Sequence, residues 1–201
     1  MTDYFVLLNE PRRPWLDPDL LKKKFLALAA SLHPDRSHNA DELEKAGANR
    51  RYAELNTACN CLAEPKLRLR HLLELELGAK PKDVQLIPAA LADLFAEVVT
   101  TCGNADVFLA EKDKATSPLL QVGLFERGQE WVEKLNDLQK KLGGLRVKLM
   151  DELKSLDEKW VVADAASHRE FLPKLEELYR LFGYFNRWNS QIQEQIVQLS
   201  L

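Results

Sequence analysis

The chain has 201 residues, and 28 basic against 31 acidic side chains leave a formal net charge of −3, which speaks against bulk nucleic-acid binding. Hydrophobic residues make up 46%, enough to bury the core of one domain or two small ones, and three cysteines are too few for a disulfide framework. No apolar run is long enough to span a bilayer, and the first residues read as an acidic, aromatic helix rather than a basic leader, so a soluble cytoplasmic protein is expected.

Helical spacing dominates and strand signals are nearly absent. A short first helix is expected from about Tyr4 to Asn9, closed by Pro11 and Pro14. Asp17-Pro18 reads as an N-cap followed by proline at the first helical position. From there Leu21, Phe25, Leu28, Ala29 and Leu32 form one apolar stripe. Proline restricts the residue before it, so this helix should stop at His33 and display His33-Pro34-Asp35 on an exposed turn. A third helix is expected from about Asp41 to Ala63, with Leu43, Ala46, Tyr52, Leu55, Ala58 and Leu62 available for burial. Pro65 breaks it and opens a fourth, which ends at Gly78.

Two prolines, a glycine and charge in residues 78–88 mark a domain boundary. Beyond it, Ala89 to Thr101 is amphipathic, Gly103-Asn104 is read as a break or kink, and Ser117-Pro118 is a helix start. Trp131, Leu135, Leu138, Leu142, Leu145, Leu149, Leu153, Leu156 and Trp160 recur every three or four residues. That stripe passes Gly143-Gly144 without losing phase, which predicts one continuous helix despite a glycine cost of roughly 2 kcal/mol. A final helix, about His168 to Leu199, carries Phe171, Leu175, Leu178, Phe182, Phe185, Ile192, Ile196 and Leu199. Three such stripes bury one another in an antiparallel three-helix bundle.

Five segments in order resemble a J domain: Asp3-Tyr4-Phe5 with Leu7-Leu8, Leu20 to Leu32, His33-Pro34-Asp35-Arg36, Leu55-Asn56-Thr57-Ala58, and Leu62 with Pro65 and Arg68. The opening Asp-Tyr-Phe and the Arg68-Leu69-Arg70-His71-Leu72-Leu73 run look more specifically like the HscB branch, the iron–sulfur assembly co-chaperones. The resemblance implies an all-α chain: a J domain at 1–77, a linker at 78–88 and a C-terminal antiparallel bundle at 89–201.

It also implies two binding sites and no catalysis. A J domain docks on a DnaK-type chaperone and stimulates its ATPase; the matching residues are His33, Pro34, Asp35 and Arg36, with Lys22, Lys23 and Lys24 on the preceding helix. Asp35 suits a charge-assisted bond to an arginine of the partner. Those lysines equally suit a solvated helix face. J domains usually carry basic residues in the second half of this helix, yet Phe25 to Leu32 has no charge, leaving Leu26 and Ala27 to pack on the bundle or face a partner. The bundle of the family binds the iron–sulfur scaffold protein, and the corresponding positions are Leu91, Leu94, Phe95, Tyr184 and Phe185, all of which also suit interior packing.

His38, His71 and His168 lack metal-ligand spacing, Cys59 and Cys61 point away from each other on a helix, and no nucleophile or phosphate-binding motif is present. Neither a metal nor another cofactor is expected, and no nucleic-acid or membrane partner. The expected function is therefore that of a co-chaperone that activates a partner ATPase and delivers a client, the iron–sulfur scaffold. The alternatives are a J protein with another client, or an adaptor whose J domain no longer activates.

Overall fold

The computed structural model describes residues 2–32, 42–81, 87–115 and 117–200, and no strand occurs among them. The helices are α1 (Tyr4–Leu7), α2 (Pro18–Leu32), α3 (Glu42–Ala63), α4 (Pro65–Leu77), α5 (Ala92–Lys112), α6 (Pro118–Val162) and α7 (His168–Ser200). A 3-10 turn, Ala89–Leu91, precedes α5. The chain forms two compact units: residues 1–82 with 151–180, and residues 83–150 with 181–201. Both α6 and α7 contribute to each.

In the first unit the helix ends follow local chemistry. Asp3 caps α1 by accepting the Phe5 and Val6 amides, and Asp17 Oδ1 caps α2 by accepting the Asp19 and Leu20 amides at 2.9 and 3.1 Å. Glu64 caps α4 ahead of Pro65, and Gly78 closes it in the left-handed conformation at φ 69°, which a residue without a Cβ adopts freely. α1, α2 and α4 all pack on α3. Phe5, Leu8, Leu21, Leu55, Ala58, Leu62, Leu69, Leu72 and Leu73 form the core between them.

Burial of α3 is confined to its second half. Leu55, Ala58 and Leu62 are buried as expected, whereas Leu43, Ala46 and Tyr52 are exposed. The reason is geometric: α1 and α4 pack on the half of α3 nearest Pro65, while Tyr52 lies 6.4 Å from Phe25 of α2.

In the second unit α5 and α6 run antiparallel, since Glu97 pairs with Lys141 and Glu111 with Arg127. α7 returns beside α6, with Gln139 donating to Gln193, and beside α5, with Lys112 Nζ donating to the Leu199 carbonyl. The expected break at Gly103-Asn104 does not occur. Val98, Cys102, Ala105 and Phe108 are all buried on one stripe of α5, and this continuous burial outweighs the helix penalty of one exposed glycine. Gly143 and Gly144 lie inside an unbroken α6, as the phase of the leucine stripe predicts.

Candidate functional site

The α2 surface is positioned by an unusual set of buried polar contacts in the first unit. The connection from α1 to α2 contains Pro11-Arg12-Arg13-Pro14 and has no regular structure with which to satisfy its backbone. Side chains from elsewhere do so. Arg68 on α4, 2% exposed, donates through Nε to the Pro14 carbonyl at 2.7 Å and through Nη1 to the Leu62 carbonyl. Burial pushes its pKa down to about 10.

Asp157 of α6, also 2% exposed, accepts Arg13 Nε at 3.0 and 3.1 Å, the Arg13 Nη2 group, and the Trp15 amide at 3.0 Å. Its hydrogen bond raises the Arg13 pKa against a smaller opposing effect of burial. Trp160, one turn further on, donates Nε1–H to the Arg12 carbonyl at 3.0 Å and stacks on His168 with centroids 3.8 Å apart.

At the start of the chain, His71 Nε2 accepts the Tyr4 amide at 3.0 Å, and its ring stacks on Tyr4 at 4.5 Å. Burial lowers the His71 pKa, with smaller upward effects from Asp3 and Glu74. The neutral ring with its proton on Nδ1 therefore fits this contact.

Held this way, α2 buries Leu21 and Ala29 and exposes Lys22, Lys23, Lys24, Leu26, Ala27 and Ala30. Lys24 is turned back on the chain, pairing with Glu10 at 2.8 Å and donating to the Asn9 carbonyl at 3.0 Å. Lys22 and Lys23 also face solvent. Leu26 is 55% exposed. His33, Pro34, Asp35 and Arg36 lie outside the described residues.

Of the five bundle positions singled out in the sequence, three are interior: Leu91 is 7% exposed, and Tyr184 and Phe185 are each 5% exposed. Tyr184 stacks obliquely on Trp188 at 5.6 Å, and the Arg146 guanidinium lies 5.3 Å from the Phe185 ring centre. Leu94 and Phe95 are half-buried, Phe95 lies 6.0 Å from Trp188, and Val99 one turn on is exposed. These three side chains make a compact apolar strip on α5.

Burial pushes the Cys61 and Cys102 thiols up to about 11, so neither is a thiolate at neutral pH. No cluster of metal-ligating side chains occurs among the described residues. No helix there is long and apolar enough to cross a membrane.

No protein-family profile matches the chain. A Bordetella pertussis protein named co-chaperone protein HscB homolog is 40% identical over 72 residues, 36% of this chain and 42% of that protein. The chain thus spans less than half the length of that relative. A Vibrio cholerae protein of the same name is 28% identical over 151 residues, 69% of this chain and 88% of that one. Among solved structures, chaperone HscB from Vibrio cholerae superposes with a TM-score of 0.62 at 18% identity, covering 98% of this chain and 99% of that one. The chain is HscB-like in sequence and in fold. Human co-chaperone protein HscB matches as well, with a TM-score of 0.62 at 17% identity over 96% of this chain and 82% of that one. The HscB-like fold is all-helical, with an N-terminal J domain followed by a C-terminal helical bundle.

Reading the sequence did not find Arg13, Asp157 or Trp160 as partners. One signal was available: Asp157 lies beside Leu156 and between Leu153 and Trp160 on the core stripe of α6, where an unpaired carboxylate would be costly.

Proposed function

We propose that this chain is a J-type co-chaperone that binds a DnaK-type chaperone in the cytoplasm and stimulates its ATPase, itself catalysing nothing. The supporting observation is the exposed α2 face leading in sequence straight into His33-Pro34-Asp35, in a chain whose relatives are named co-chaperone HscB homologs. Stimulation requires only that the J domain bind the hydrolysing state of its partner more tightly than the other, which shifts the population towards it. Asp35 supplies a carboxylate for an arginine of the partner, and Pro34 limits the conformations of the turn.

The client is the scaffold protein of iron–sulfur cluster assembly, held on the bundle through Leu94 and Phe95. Both keep part of their apolar surface in solvent beside exposed Val99. Interfaces draw most of their energy from a few such side chains.

Single-turnover ATP hydrolysis by a purified DnaK-type chaperone tests the first part. Acceleration by the wild-type chain, lost in Asp35→Asn with unchanged helical circular dichroism, is the expected result. Equal acceleration by Asp35→Asn overturns it. Capture of the purified scaffold protein by the wild-type chain but not by Leu94→Ser/Phe95→Ser tests the second part, and absence of capture by wild type removes the iron–sulfur client.

A further inference from the structure

The solvent face of α2 divides in two along its length. At 100° per residue, Lys22, Leu26 and Ala30 follow one another at four-residue intervals, with Lys23 and Ala27 beside them. All five are exposed, and Leu21 on the opposite side is buried, as is Ala29 at the edge of the face beside Lys22. The first part of this face carries positive charge. The second, from Phe25 to Leu32, has no ionisable side chain, and Leu26 stands 55% exposed among exposed alanines. One exposed leucine is ordinary on a protein surface. Here, however, it stands on the same exposed face as Lys22 and Lys23, while the neighbouring Lys24 pairs with Glu10 and donates to the Asn9 carbonyl.

We propose that the chaperone meets α2 through a two-part surface: carboxylates opposite Lys22 and Lys23, and a shallow apolar groove that receives Leu26, Ala27 and Ala30. This footprint, which rests on the co-chaperone reading, specifies the chemistry of its docking site. Charge complementarity sets the polarity of docking, since the two lysines admit an acidic surface only at the N-terminal end. The groove then begins about 6 Å further along the helix, the rise of four residues. Alanines at 27 and 30 allow close approach, and Leu26 is the protruding side chain that fills the groove. Apolar burial is insensitive to moderate salt, whereas attraction between exposed charges is screened. The complex therefore keeps most of its affinity as salt rises.

The test is the concentration of this chain giving half-maximal ATPase stimulation of a purified DnaK-type chaperone, at about 50 and about 500 mM salt. Wild type is expected to change less than about three-fold between the two. Leu26→Asp is expected to raise the half-maximal concentration about ten-fold at both salts, as loss of a central apolar contact does. Lys22→Glu/Lys23→Glu weakens docking at low salt and much less at high salt. Ala30→Lys separates the possibilities most sharply: it weakens docking on an apolar groove and strengthens docking on an acidic surface. Strengthening by Ala30→Lys, or an unchanged half-maximal concentration for Leu26→Asp, overturns the proposal while the co-chaperone reading stands. Absence of stimulation by wild type, or full stimulation by Asp35→Asn, overturns that reading and the footprint with it. Lys22, Lys23, Leu26 and Ala30 are exposed, and matching circular dichroism and unfolding midpoints establish that the variants are folded.

Discussion

Asp157 on α6 and Arg13 in the α1–α2 connection, 144 residues apart in sequence, form a forked ion pair in which the carboxylate is almost wholly buried. The same carboxylate holds the Trp15 amide, so it organises both the side chain and the backbone of that connection. α2, which exposes Lys22, Lys23 and Leu26, begins three residues after Trp15.

Removing one member of a buried pair costs more than the pair contributes net, because the remaining charge is stranded. Asp157→Ala is expected to lower unfolding free energy by about 3 kcal/mol. The value sits at the low end of the usual range because Arg13 is 29% exposed and regains some hydration. Arg13→Met/Asp157→Leu should recover part of the loss, the Trp15 amide still lacking its acceptor, and urea unfolding of the full chain checks both. A truncated chain of residues 1–82 lacks Asp157 and Trp160, and should unfold at lower urea than the intact chain.

Arg68→Met tests the second buried guanidinium. It leaves the Pro14 and Leu62 carbonyls unpaired, with an expected loss of about 2 kcal/mol or more. Arg68→Lys should not rescue it, because an ammonium lacks the planar fork that serves two acceptors in different directions. Parallel denaturation of the two variants decides the point.

His71 predicts a pH dependence. Its folded pKa is lowered by burial, so between the ordinary histidine value of about 6.5 and the lower folded value the unfolded chain binds more protons. Its contribution to stability is complete above about pH 6.5 and is lost as pH falls towards the folded pKa. Protonation also removes the Nε2 lone pair that accepts the Tyr4 amide. Unfolding midpoints should therefore fall between pH 7 and pH 5.5, and His71→Gln should flatten the slope. An equal slope in wild type and variant would exclude His71 as its source.

Gly143 and Gly144 lie in mid-helix, and a Cβ at either would meet nothing within 4 Å. Gly143→Ala and Gly144→Ala should each raise stability by up to about 1 kcal/mol, since alanine loses less backbone entropy and nothing has to move. Thermal unfolding reads the result, and a lowered midpoint would mean that α6 needs a local bend there.

Much of the fold was legible in short-range chemistry. Asp17-Pro18, Pro65 and Gly78 mark helix ends because caps and φ preferences act over a few residues. The leucine stripe of α6 overrode its two glycines because apolar burial summed over many turns exceeds a local propensity cost. Gly103-Asn104 shows the opposite limit: a lone glycine reads as a break only when the surrounding stripe is ignored. The site was less legible. Exposed Lys22 and Lys23 could be placed from periodicity, but nothing local distinguishes the half-buried Leu94 from the interior Tyr184 and Phe185, since all are apolar residues at helical spacing. Nor does any nearby residue mark Lys24 as the one that folds back to Glu10.

The order of α-helical segments, their ends and their apolar faces were set by the chain's local pattern, since propensity, capping and amphipathic spacing operate within a turn or two. Partners for buried charges were set by packing. Arg68 and Asp157 find carbonyls, an amide and a guanidinium far away in sequence, because a desolvated charge is tolerated only where the folded chain brings ligands to it. The outward position of Leu26 was decided there too, when Leu21 and Ala29 turned inward against the neighbouring helices.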